Sequence, residues 1–334
     1  YQGRHAQPGG GVLPDMKALA AALSLAGRHG TLLAAASIFI GLALPELAAL
    51  LKPVLGAVIV AMLMLAFLRV DLSALRRYFT RPGLIAAATV WLMLVAPALI
   101  GAIFFYAGVG HALPGLYFML VLQLAAPGLM SAPAVAALLG LDVALTLAGL
   151  IVSVAVAPVS AGLFTHLFLG TALASPLALG VHLALIIAGA ALGAAVIRGI
   201  AGGAFIEAQA QRIDGLSVLM FMTFAIAAMD GVTAHIVNEP MLVGKLTLLA
   251  FALSLGMTAV TTLVFWPAGR ARAFAIGLMA GNRNMGLMLA ATGFAVSDVA
   301  WLYFAVAQFP IYLLPHLMRP LARWATRAPA SGER

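Results

Sequence analysis

Apolar stretches of roughly twenty residues recur along the chain with short polar interruptions between them, about the length a helix needs to cross a hydrocarbon core of about 30 Å. The pattern predicts spans at 28–46, 53–69, 82–107, 114–140, 142–168, 176–198, 214–237, 240–266, 271–295 and 298–322. It reads as an all-α membrane protein of ten transmembrane helices. Five spans precede the loop near Ser175 and five follow it. An odd number per half makes the halves insert with opposite orientation, the arithmetic of a 5+5 inverted repeat. The first repeat is then 28–170 and the second 176–323. A leader at 1–27, in which Gly9, Gly10 and Gly11 follow Pro8, and a tail at 324–334 flank them.

The repeat rests on span count and on two interruptions in corresponding places, rather than on residue similarity between the halves. Span four carries Ala126-Pro127-Gly128, then Ser131 and Pro133, inside its apolar run; span nine carries Gly281-Asn282-Arg283-Asn284 inside its own. Proline removes a backbone donor and clashes with the preceding turn, and an adjacent glycine lets the chain leave helical geometry. Backbone groups freed in this way cost several kcal/mol each in lipid, so they are tolerable only where they face protein, water or ligand. If the two spans cross at their breaks, the half-helix N-termini aim amides and positive dipole ends at one region. An anion is the natural guest there. Taken alone, Pro127 and Pro133 are equally explained as a structural kink.

Arg283 is the most informative single residue, because a cation at the centre of a span is costly and usually marks a pathway or a partner. Two roles fit it. It binds a substrate carboxylate or sulfonate, with amide help from Asn282 and Asn284, or it is a structural guanidinium bonded to broken-helix carbonyls. Gly281, Pro127, Gly128, Ser131 and Pro133 complete the candidate substrate site. Asp230, near the far end of span seven, is a cation partner, a proton site or a plain interfacial acid.

Composition narrows the class. The 334 residues are 64% hydrophobic and 8% charged, against about 25% charged in a soluble domain, which excludes a soluble fold. A net charge of +8 would suggest nucleic acid in a soluble protein, whereas in a membrane protein basic residues are first of all topology markers. Lys17 and Arg28, then Arg69, Arg76, Arg77 and Arg81, then Arg198 and Arg212, then Arg270 and Arg272, then Arg319, Arg323 and Arg327 all fall on one side of ten spans. The positive-inside rule places both termini in the cytoplasm. No cysteine is present, and His166, His182 and His235 lack metal-ligand spacing, so neither a thiolate nor a metal centre is expected. No converging acid and base mark an intramembrane enzyme, and no cofactor is implied.

Ala126-Pro127-Gly128, Leu138, Asp142-Val143-Ala144-Leu145-Thr146 and Ala157-Pro158 are similar to the fourth and fifth helices of the bile acid:sodium symporter family. Gly281, Asn284, Gly286 and Leu287 resemble its ninth-helix motif, and Leu44-Pro45-Glu46 through Arg69-Val70-Asp71-Leu72 to Arg81-Pro82 its opening helices. The resemblance implies a bacterial inner-membrane carrier of small organic anions working by alternating access. It also implies a core domain of spans three to five and eight to ten, with crossed broken helices four and nine, beside a panel domain of spans one, two, six and seven. Two sodium ions sit behind the crossing in the family. Carried over by position, their ligands become Ala132, Pro133, Thr146, Leu150, Met279 and Arg283, of which only Thr146 keeps a side-chain oxygen. Sodium is therefore not expected, a proton remains open as coupling ion, and Arg283 stands where a sodium charge would be. A sodium-coupled symporter with altered sites and a membrane channel or sensory module are the alternative readings.

Overall fold

The computed structural model describes residues 30–70, 82–170 and 175–326. The expected leader at 1–27, most of the tail, and Lys17, Arg28, Arg76, Arg77, Arg81 and Arg327 lie outside the described residues. Those described form helices and no strand, with one isolated antiparallel bridge between Gly128 and Arg283.

In chain order the helices are α1 Gly30–Ala43, α2 Pro45–Leu51 and α3 Leu55–Leu68, then α4 Pro82–Val90 and α5 Ala96–Tyr106 joined by a π turn at Trp91–Val95. The short α6 Val109–Ala112 leads to α7 Pro114–Ala125 and α8 Ala132–Leu139, the two halves of the first broken helix, and to α9 Val143–Leu169. The second half begins with α10 Pro176–Ala201, α11 Gly203–Ala208, α12 Ala210–Ala228, α13 Val232–Asn238 and α14 Pro240–Val264. Its broken helix is α15 Arg270–Gly281 with α16 Met285–Ala291, followed by α17 Asp298–Val306, α18 Gln308–Leu317 and α19 Arg319–Thr326. Seven of the resulting helical stretches, among them Pro45–Leu68, Pro82–Tyr106, Val143–Leu169 and Asp298–Leu317, are long and apolar enough to cross a membrane. Exposed apolar side chains on these helices, including Leu50, Ile103, Leu185, Ile200, Leu248 and Leu263, suit contact with lipid.

Two expected boundaries move, each for a local reason, and one further span is interrupted within its length. Pro45 does not end the first span but opens α2, where its missing N–H is one that no helix would satisfy. The second span therefore starts well before residue 53. Pro133 likewise sits in the first turn of α8 and is not part of the interruption, which runs from Ala126 to Ser131. The expected span at 214–237 falls within one apolar helical stretch, Ala210–Asn238, whose helix is interrupted where α12 stops at Ala228 and Gly231 has φ of 76° before α13.

Two groups of helices differ in what they pack around, and α9 of one group lies closely along α10 of the other. α1, α2, α3, α10 and α12 lie against one another, while α7, α8, α9, α14, α15, α16 and α17 surround the two interruptions. In the second group, α14 and α15 approach closely because Gly277 and Gly281 present bare backbone to Thr258, Thr262 and Ser254. A Cβ on either glycine would collide with those atoms. Fully buried Met119, Leu120, Leu122, Leu287, Met288, Tyr303 and Phe304 fill the space around the crossing.

Candidate functional site: the crossing of two broken helices

The two interruptions meet in the buried centre and pair as short extended segments. Leu129 N donates to the Asn282 carbonyl at 3.1 Å, and Asn284 N donates to the Pro127 carbonyl at 2.9 Å. Gly128 N donates to Ser153 Oγ on α9 at 3.3 Å. The backbone groups released by unwinding thus satisfy one another, as groups buried away from water must.

Arg283 lies inside this crossing with 3% of its surface exposed. Its Nε donates to the Ala280 carbonyl at 2.9 Å, Nη1 to the Ala126 carbonyl at 2.9 Å and Nη2 to the Leu92 carbonyl at 2.8 Å, while Nη1 also approaches Met93 Sδ at 3.9 Å. The guanidinium therefore gathers carbonyls from the π turn between α4 and α5 and from both breaks. Two of these are carbonyls that a helix end leaves unpartnered. The third owes its freedom to the π turn: Ala96 N bonds Trp91 O in i→i+5 register, and the next donor in that register would be Pro97, which has no N–H. Leu92 O is left for Arg283. Its contacts are all neutral dipoles, so the positive charge is solvated without being cancelled.

Small cavities lie on either side of the crossing. One is lined by Ile59, Met62, Phe221, Phe224, Met130, Met285, Ile311 and Tyr312, with Arg283, Asn284 and Gln308 as its polar members. It lies between the two helix groups. Asn284 Oδ1 caps α16 by accepting from Leu287 N at 3.1 Å, whereas its Nδ2 is buried and makes no hydrogen bond. A free amide donor and an uncancelled cation thus border one apolar chamber, whose room for water, about 20 Å³, holds roughly one molecule.

The other cavity, with room of about 10 Å³, is lined by Leu129, Ala132, Thr146, Leu278, Met279 and Asn282 among others. Asn282 Nδ2 donates to Leu278 O at 2.9 Å and its Oδ1 is buried without a partner. Thr146 Oγ1 donates to the Val143 carbonyl at 2.8 Å. Three of the positions that the resemblance assigns to sodium ligands, Ala132, Thr146 and Met279, do line this one cavity. Its side-chain oxygens are those of Thr146 and Asn282, in an apolar and narrow space, which does not fit a hard cation that takes several oxygens.

The other sequence candidates separate. Ser131 is the residue before α8, and its side chain makes no hydrogen bond to the helix. Gly281 packs against α14 and lines neither cavity. Asp230 is far from the crossing in role: it pairs with Lys52 Nζ at 2.8 Å in the turn after α12. Sequence reasoning missed Leu92 with its π turn, although Pro97 was the legible signal, and the buried hydrogen bond from Tyr303 Oη to Gln123 Oε1 at 2.6 Å. Among the described residues no group of His, Asp and Glu could hold a metal ion.

No protein-family model matches the chain, and no curated protein matches it.

Proposed function

We propose that this protein is a secondary transporter of a small organic anion, related to the bile acid:sodium symporters, with ten spans in two inverted halves and cytoplasmic termini. The observation that carries the reading is the crossing itself. Two unwound segments pair inside an apolar helical protein, and a buried guanidinium with no carboxylate partner stands beside a chamber that also offers the free Asn284 amide. Such a site has the field for one negative charge. Its chamber, with room for about one water as it stands, offers apolar walls to the body that bears the charge only when it widens. The chamber lies at the seam of two helix groups, which suits a carrier in which one group rocks against the other around a central site.

The resident cation does the electrostatic work that a bound sodium ion does in the relatives, so transport is independent of sodium, either facilitated or proton-coupled. Uptake of radiolabelled carboxylates and sulfonates into proteoliposomes, with counterflow, tests this. Flux accelerated by substrate on the far side, and equal in sodium and choline, is expected. Flux that collapses in choline overturns sodium independence, and conduction without counterflow favours a channel.

A further inference from the structure

Among the described residues, a cluster of polar contacts joins the two helix groups at one end of the molecule. Trp301, on α17 of the crossing group, donates from Nε1 to the Asp230 carbonyl of the other group at 2.9 Å. Lys52 of that other group lies over the Trp301 ring, 4.3 Å from its centroid, while its Nζ pairs with the Asp230 carboxylate at 2.8 Å. The indole is held by a hydrogen bond and a cation at once.

Phe294 reinforces this end. It has φ of 61°, the left-handed region that a side chain with a Cβ adopts only under constraint from its surroundings. Its ring seats on Gly56 of α3, where an added Cβ would come within 3.3 Å of the ring edge. The His182 ring also meets the Ala291 carbonyl at 3.3 Å across the same seam. At the opposite, arginine-rich end, Arg69 pairs with Asp214 and Arg198 donates to the Leu68 and Val70 carbonyls, all within one group.

A column of rings runs from the latched end to the chamber. Trp301 and Phe304 have centroids 5.5 Å apart, Phe304 and Phe224 6.0 Å, and Phe224 lines the chamber beside Arg283. We propose that this column is a gate: Phe294 on Gly56 and the Lys52–Asp230–Trp301 contact hold it shut, and release of both opens the chamber at the Lys52 end. The inference rests on the transport reading for its purpose, and on the contacts alone for its existence.

The chain's 334 residues include no cysteine, so an introduced thiol reports alone. Met130→Cys places one in the chamber, and Glu239→Cys, in the exposed turn before α14, identifies vesicles that present the Lys52 end. A membrane-impermeant maleimide added at that end should label the Met130→Cys protein slowly. Adding Lys52→Met, Trp301→Phe or Phe294→Gly should raise the rate about fivefold or more, the population shift that loss of one such contact produces. Arg69→Met, at the other end, should leave it unchanged. Linking thiols placed at Gly56 and Phe294 with a short bifunctional thiosulfonate should stop labelling, which keeps the test open if a latch variant fails to fold. Equal rates in all variants, or labelling that survives the link, overturns the gate. Labelling requires no flux, so rates that respond while no anion is ever carried sustain the gate and defeat the transport reading.

Discussion

Arg283 donates to the carbonyl of Leu92 at 2.8 Å, and it can do so because Pro97 leaves that carbonyl unclaimed. A residue just after the π turn between α4 and α5 thereby prepares the place of a cation between α15 and α16. The two positions should be energetically coupled. Arg283→Met leaves buried carbonyls without donors and should cost about 2–5 kcal/mol of stability. Pro97→Ala returns an N–H to the helix, so the double variant should be less destabilised than the sum of the singles by about 1 kcal/mol. Denaturation of the purified proteins in one detergent measures the cycle, and strict additivity would show that Leu92 and Arg283 merely adjoin.

Met279 stands four residues before Arg283, in the last turn of α15, and lines the cavity behind the crossing. Met279→Glu brings a carboxylate within reach of the guanidinium and cancels its charge. Affinity for organic anions should fall about tenfold, a loss near 1.4 kcal/mol, read by a ligand-induced thermal shift. An unaltered shift would remove Arg283 from the account of anion binding.

Asn282 and Asn284 look interchangeable in sequence and face different cavities. Asn284→Ala removes the cap of α16 and should cost about 1 kcal/mol while weakening anion binding. Asn282→Leu should leave anion affinity unchanged. Titrating both variants with the same carboxylate distinguishes them; equal losses would place the anion on both sides of the crossing.

Tyr303 and Gln123 form a buried pair between α17 and α7. Tyr303→Phe alone strands the Gln123 oxygen and should lower stability by about 1–3 kcal/mol, whereas Tyr303→Phe with Gln123→Leu should recover most of that loss. Thermal unfolding of the three proteins checks it.

The sequence made the apolar helices legible, since hydropathy is a local property, and it located both interruptions from Pro127, Gly128 and the Gly281–Asn284 run. It did not say whether proline breaks a helix or begins one. Pro45 and Pro133 begin theirs, because an N–H in a helix's first turn has no partner within that helix and nothing is lost where proline lacks one. The partners of Arg283 were illegible for another reason: they are backbone carbonyls of Leu92, Ala126 and Ala280, and a carbonyl carries no residue type for a pattern to detect. Gly281 shows the same limit, since a glycine beside a break serves equally to free the chain or to admit a neighbouring helix.

A cation that is part of the chain cannot leave it. Where a carrier borrows its positive charge from solution, that charge arrives and departs in every cycle, whereas Arg283 stays whether the chamber is full or empty. On the proposed cycle the loaded site is close to neutral and the empty one carries a whole charge. Membrane voltage, worth about 2.3 kcal/mol per elementary charge per 100 mV across the full field, would then act chiefly on the empty return. It would set how long the vacant carrier waits at each face, a bias on timing in place of an ion gradient's pull.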